Sequence, residues 1–416
     1  MGKEKLKEQL NFNTQKLKDN KAITLIALVV TIVVLLILAG ISISLVVGDN
    51  GLIRKSKDAK KQYEEAQANE LAMTDEAGDL IDETVTGNLK RTKETKPYLP
   101  NGDYTKAPGT SLDNGLVIAD KKGNEYVWVE VPRNAEVVYK TAGLNITEFS
   151  AEELTKINTD LVNYVADYRV SDCDDVCTDK YNKMLKSVYQ NGGFWIGRYE
   201  IGIDENTVRS FGSDYSTEHS TEGQTPVIKK NKIPYTWINY SQAESLAETF
   251  APSGYTSSLM FGLQWDLVCK HLETKGTNPG TTATSIQNAV KSNSTDWGNY
   301  KNANFDVTNT DAMYSEDYGA IWKKVSEEAD KKYSKEASKS VLLTTGAEAR
   351  NSMLNICDLA GNVSEWTLEE TDDPYLPGTT RGSYCYCDGS YSVSDRGSYD
   401  EIDASFGWKG ARVALY

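Results

Sequence analysis

Cys385 and Cys387 lie two positions apart in RGSYCYCDGSYSVSDRGSYD, residues 381–400. On a strand that spacing puts both thiols on one face, where they suit a soft metal ion. Cys173 and Cys177, in SDCDDVCTDKY, suit a local disulfide, weak metal binding or free thiols in a loop. Cys269 and Cys357 sit among apolar neighbours and are expected to be buried. Six cysteines in 416 residues do not make a disulfide scaffold. Of the two histidines, His271 falls in the helical stretch LVCKHLETK, where a surface or half-buried imidazole is expected. Neither His271 nor His219 lies in a nucleophile motif, and no Gly-rich phosphate loop occurs.

The run itself carries a different chemistry. Across residues 384–400, fifteen of seventeen residues are Tyr, Cys, Asp, Gly or Ser, and only Val393 and Arg396 fall outside that set. Tyr supplies rigid amphipathic contact area at low entropic cost, while Ser, Gly and Asp supply adaptable hydrogen bonding, as in antibody paratopes. The run therefore reads as a binding face. Tyr384, Cys385, Tyr386, Cys387, Tyr391, Asp395, Ser398, Tyr399 and Asp400 are the expected ligand contacts. Arg381, Gly382, Ser390, Ser394 and Arg396 are the expected scaffold.

What positions that face begins with charge. The chain carries a net charge of −15. Residues 1–96 hold 15 Lys+Arg against 14 Asp+Glu, a net of +1, so the rest carries −16. No basic stripe is left for a phosphate backbone, which argues against nucleic acid. The split points instead to an anchor and an exposed acidic body. AITLIALVVTIVVLLILAGISISLVV, residues 22–47, has no charge. As a helix it would reach roughly 39 Å, enough to cross a bilayer. A transmembrane helix is therefore expected at 23–47. Basic residues flank it on both sides, so charge counting leaves its orientation open. GDNG breaks the pattern, and 48–86 reads as a polar, thinly striped stalk helix. Residues 87–111, rich in Lys, Thr, Gly and Pro, read as a linker.

From residue 112 the pattern is that of an α+β domain. GLVIADKKGNEYVWVEVP (115–132) predicts two strands joined by a turn, and GGFWIGRYEIG (192–202) predicts another strand. YSQAESLAETF (240–250) and SLMFGLQWDLVCKHLETK (258–275) have helical spacing. DLAGNVSEW (358–366) reads as a turn leading into aromatic-anchored structure, and GWKGARVALY (407–416) as a final strand.

The Lys-rich leader, KAITLIAL and the apolar helix together resemble the N-terminus of a type IV prepilin. The resemblance implies a leader at 1–22, cleavage after Ala22 and methylation of Ile23. It also implies an N-in, C-out topology, a cell-membrane location and contact with pilin or secretion machinery. The family more often carries Gly at the place of Ala22 and Glu at the place of Ala27.

A second resemblance covers residues 112–416. FWIGRYEIG, TPVIKKNKIPYTWINYSQAESLAETF, LQWDLVCKHL, DWGNY, DLAGNVSEW, RGSY and GARVAL occur in that order, as in the formylglycine-generating-enzyme (sulfatase-modifying-factor) family. That family has an elaborated C-type-lectin-like fold. The resemblance implies a structural Ca²⁺ held by the main chain of Ala360, Gly361 and Val363 and by the Glu365 carboxylate. The copper oxidases of the family use two cysteines five positions apart, whereas Cys385 and Cys387 are two apart. Its iron enzymes use three histidines, and this chain has two. A non-catalytic binder is therefore expected, with a formylglycine-type oxidase or a purely structural pilin subunit as alternatives. Tyr, Cys, Asp, Gly and Ser are all reached from the Asn codon AAC by changing adenines alone. Retroelement-diversified proteins of this fold carry such a variable region at their C-terminus, here 381–416. The expected ligand is an extracellular protein or glycan.

Overall fold

The computed structural model describes residues 28–35, 89–170, 173–176, 178–216, 218–276 and 283–416. It divides the chain into two compact units, Met1–Ile81 and Asp82–Tyr416. In the first, residues 28–35 form a helix whose apolar side chains, Leu28 to Leu35, are exposed. No helix among the described residues is long and apolar enough to cross a membrane. Ala22, Ile23, the rest of the expected span and the expected stalk lie outside the described residues.

The second unit is α+β. One antiparallel sheet runs, in spatial order, Thr105–Lys106, Val117–Ala119, Glu125–Glu130, Gly193–Gly197, Val413–Leu415 and Ser257–Leu259. The expected hairpin at 115–132 is present, with Val117 opposite Val127. Gly193–Gly197 is buried along its whole length, so it does not alternate as a half-exposed strand would. Its Trp195 pairs with Trp128 across the sheet, and the rings meet edge-on at 4.9 Å. A second sheet runs Arg396–Asp400, Gly378–Arg381, Ser364–Thr371 and Lys409–Ala411, with Cys173–Asp175 paired to the far end of Ser364–Thr371.

Helices pack against these sheets. Tyr240–Glu248 starts on a capping box in which the Asn239 and Gln242 side chains satisfy each other's backbone N–H. Gly262–Lys275 is buried on nearly every side. Two further helices, Ala151–Tyr164 and Asp179–Asn191, were not anticipated. The second has Tyr181, Met184, Leu185 and Val188 on its buried face, a Thr178 N-cap and an αL glycine at Gly192.

Two expectations change. Residues 89–111 are part of the domain rather than a linker. Leu89 and Tyr104 join the core. Thr95 Oγ1 accepts a hydrogen bond from the buried Trp128 Nε1 at 2.7 Å, and the Tyr98 ring stacks on Tyr255. A polar composition hid this because a few residues carry the docking. The last ten residues form two strands instead of one. Lys409–Ala411 lies in the second sheet and Val413–Leu415 in the first. Between them the buried Arg412 side chain reaches Glu365 and the carbonyls of Gly197 and Cys357. That crossing ties the sheets together.

Candidate functional site

Arg381 and Arg396 face each other across paired strands. Like charges placed directly opposite repel, and both side chains are buried, so the pair needs counter-charge. Asp266, from Gly262–Lys275, and Glu369, from Ser364–Thr371, supply it. Arg381 Nη2 meets Asp266 Oδ1 at 2.7 Å, and its Nη1 meets Glu369 Oε2 at 3.2 Å. Arg396 Nη2 lies 2.9 Å from Asp266 Oδ2, and its Nε 2.9 Å from Glu369 Oε1. Arg169 adds a third cation, 3.4 Å from Asp266. Burial opposes ionisation of Glu369, but Arg381, Arg396 and Arg169 hold its carboxyl below its ordinary range. Gly262 leaves room for it: a Cβ there would lie 2.4 Å from the Glu369 carboxyl carbon. The expected scaffold roles of the two arginines thus have a physical basis.

Between the arginines the chain forms turns rather than a strand. It is tied down chiefly through its main chain. Gly382 O accepts from Gly361 N and Tyr300 Oη. Cys385 N donates to Asn362 O, and Cys387 O accepts from Lys301 N. Gly389 O accepts from Ser294 N, and its N–H donates to Asn302 Oδ1. Val393 N donates to Ser294 Oγ, and Val393 O accepts from Trp265 Nε1 at 2.9 Å.

The expected contacts therefore separate. Tyr391 is 60 % exposed. Tyr384, Tyr386 and Cys387 are half-buried and open onto clefts. Cys385 is buried against Leu342 and Val363. The two thiols do not share a face, because the segment turns instead of extending. Burial also pushes the Cys385 thiol up, away from the thiolate that metal binding or nucleophilic attack requires. Asp395 Oδ2 accepts from Ser392 N at 2.8 Å, so that carboxylate closes a turn. Ser398, Tyr399 and Asp400 lie in the strand Arg396–Asp400, with Ser398 opposite Thr379.

One cleft of about 300 Å³ is lined by Tyr384, Cys387, Tyr391, Asp395, Arg396 and Trp408, among others. Another, of about 410 Å³, is lined by Lys301, Asn302, Ser338, Tyr386, Cys387 and Tyr391, among others. Sequence reasoning missed the aromatic floor. Trp408, at the start of the stretch expected to form the final strand, is half-exposed and stacks on Tyr384 with centroids 5.8 Å apart. Tyr318, 53 % exposed, stacks on Tyr386 at 4.5 Å. It comes from a distant loop, and no local pattern announces it.

The calcium expectation fails a test of fit. Both Glu365 oxygens accept from the Arg412 guanidinium, at 2.7–3.1 Å. The carbonyl of Ala360 accepts from Asn299 N. Gly361 donates its N–H to Gly382, and the Val363 side chain packs beside Cys385. A guanidinium takes the cationic role at Glu365, so that carboxylate does not fit a calcium site as the chain is folded here. Two more buried carboxyls lie nearby, Glu200 and Asp358, and Glu200 Oε2 and Asp358 Oδ1 find no donor among the described residues. Burial pushes Asp358 up to about 7, with Gly346 N–H and Arg412 opposing. His271 is buried rather than half-exposed, and burial lowers its pKa to about 3. His219 is buried, stacked on Phe211 at 3.6 Å.

In comparisons with known proteins, no family model matches this sequence and no curated protein is significantly similar to it.

The acid cluster makes stability pH-dependent. A carboxyl whose pKa rises on folding, here from 3.8 to about 7, favours the fold below its unfolded pKa. That contribution is lost as pH rises through about 7. Asp175 is raised to about 7 as well, mainly by burial, and has the same sign. The melting temperature of the full chain should therefore fall from about pH 5 to about pH 8. Asp358→Asn should flatten that slope without abolishing it. An unchanged slope would show that Asp358 does not titrate there.

Proposed function

We propose that this chain is a ligand-binding protein whose contact face is the loop 382–395 with Tyr318 and Trp408 around it. One observation carries the reading. The loop is held by its own main chain and by two buried arginines at its ends, so its outward side chains are not needed to keep it folded. Such a loop can present contact chemistry that changes while the scaffold stays. The Tyr, Ser, Asp, Gly and Cys vocabulary supports a paratope-like role toward a protein ligand, and adenine-directed diversification of the gene is consistent with it. The burial of Cys385 weighs against a paired-thiol oxidase. The formylglycine-generating-enzyme resemblance supports a C-type-lectin-like domain. The prepilin resemblance supports an anchor at 23–47 with this domain facing outward.

Two experiments test this. The purified full chain is applied to arrays of extracellular proteins and of glycans. It should bind a small set of proteins, and Tyr391→Ala should weaken that binding by about 1–3 kcal/mol. Binding confined to glycans would overturn the protein reading, and binding indifferent to Tyr391 would move the face elsewhere. For the anchor, Val34→Lys with Leu35→Lys places two charges mid-span, at roughly 2.5–3.5 kcal/mol each. The variant should leave the membrane fraction, and unchanged fractionation would refute residues 23–47 as the anchor.

A further inference from the structure

We infer that the cleft between the helix Asp179–Asn191 and Tyr255 is a second binding site, for a sugar residue that carries one anionic group, a carboxylate or a phosphate. It shares no residue with the loop 382–395, so it does not rest on the binding function proposed above. The cleft holds about 310 Å³, the lower end of the range for small-molecule sites and room for one such residue.

The helix brings the charge. Lys183, Lys186, Ser187 and Gln190 follow one another at i, i+3, i+4 and i+7, the spacing of one helical face, and all four line the cleft. The opposite face, with Tyr181, Met184, Leu185 and Val188, is buried. Lys180, one turn earlier, is neutralised by Glu244 at 2.9 Å and by Glu248. Lys183 and Lys186 have no such partner: among the described residues neither forms an ion pair, and no acidic side chain lines the cleft. Lys186 rests on the Phe149 ring, its Nζ 5.2 Å from the centroid, which orients the ammonium without cancelling its charge. In a chain of net charge −15, two uncompensated cations on one wall make a local field for an anion.

The other wall is aromatic and already in place. Tyr255 stacks on Tyr98, with centroids 5.5 Å apart and planes 14° from parallel. Tyr98 is braced in turn by Trp128 and Trp195, which it meets edge-on at 5.7 and 6.4 Å, and its carbonyl accepts from Trp195 Nε1 at 3.0 Å. Tyr255 is only half-buried, so the stack is not sealed off from a ligand. Aromatic rings suit the apolar C–H face of a sugar ring. Gln190, exposed, and Asn191, half-buried, add amide groups for its hydroxyls. Asn191 is oriented by donating to Ser187 Oγ at 3.2 Å. A bare inorganic anion would use the lysines alone, and a neutral sugar would leave them idle. An anionic sugar residue uses both walls.

The test titrates the purified full chain, in lipid nanodiscs at low salt, with D-glucuronate, glucose 6-phosphate, glucose and inorganic phosphate, read by calorimetry. At least one of the two anionic sugars should bind, and at least about tenfold more tightly than glucose or inorganic phosphate, a difference that one charge-assisted contact supplies. Which of the two binds identifies the anion as carboxylate or phosphate. Lys183→Met with Lys186→Met removes both charges and keeps unbranched side chains. It should weaken binding at least about tenfold and leave the melting temperature unchanged. Tyr255→Ala should weaken binding as well, and Tyr391→Ala, on the loop, should not alter it. Binding of neither anionic sugar overturns the inference. So does binding that survives the paired lysine changes, and so does glucose or phosphate bound as tightly as the anionic sugar. Binding indifferent to Tyr255 refutes the aromatic wall. Loss of the sugar on Tyr391→Ala would move it to the loop, refuting this cleft and leaving the proposed function standing.

Discussion

Two guanidinium groups face each other across paired strands, and two buried carboxylates make that arrangement possible. Asp266 and Glu369 each touch both Arg381 and Arg396. Buried ion pairs of this kind add little net stability, because desolvation offsets much of the attraction. Their effect is to exclude alternatives. Moving either strand by one residue would leave a buried charge without its partner. The network thus sets the register of Gly378–Arg381 against Arg396–Asp400, and with it the two ends of the loop between them. It also joins the helix Gly262–Lys275 to the second sheet, since Asp266 comes from one and Glu369 from the other.

The loop follows from that constraint. With its ends pinned, it is laid on backbone and side-chain groups from residues 294–302 and 361–362, and the ties recur at 382, 385, 387, 389 and 393. Between the ties Cys385, Gly389, Ser392, Val393 and Ser394 are buried, while Ser390 and Tyr391 are exposed. The crossing of the last strand between the sheets at Arg412 fixes Lys409–Ala411, and so places Trp408 beneath Tyr384. One clamp and one crossing therefore position a face whose own side chains contribute little to holding it.

Much of this was legible in sequence wherever the signal was local. The hairpin at 115–132 declared itself by alternation around a Lys-Lys-Gly-Asn turn, and the helices at 240–248 and 262–275 by their spacing. Asp179–Asn191 had an equally readable stripe of Tyr181, Met184, Leu185 and Val188 that went unread beside the polar residues around it. Composition singled out the loop that is proposed above as the contact face, and Arg381 and Arg396 stood out as its scaffold. What could not be read was long-range. Which cysteine turns inward depends on Leu342 and Val363, and the half-exposure of Trp408 depends on where the chain crosses sheets. Tyr318 reaches Tyr386 from a separate loop. Both Glu365 oxygens accept from Arg412, a pairing between distant segments that only the folded chain displays.

The clamp is the claim on which the rest depends, and local hydrogen exchange tests it directly. In the full chain carrying Arg396→Gln, the amides of Cys385, Gly389 and Val393, which donate inward, should exchange at least about tenfold faster than in the unaltered chain, a loss of about 1.4 kcal/mol of local protection. The amide of Trp128, which donates to Leu116 in the first sheet, should keep its rate. If the three loop amides keep their rates as well, the loop is held without the clamp and the account is wrong.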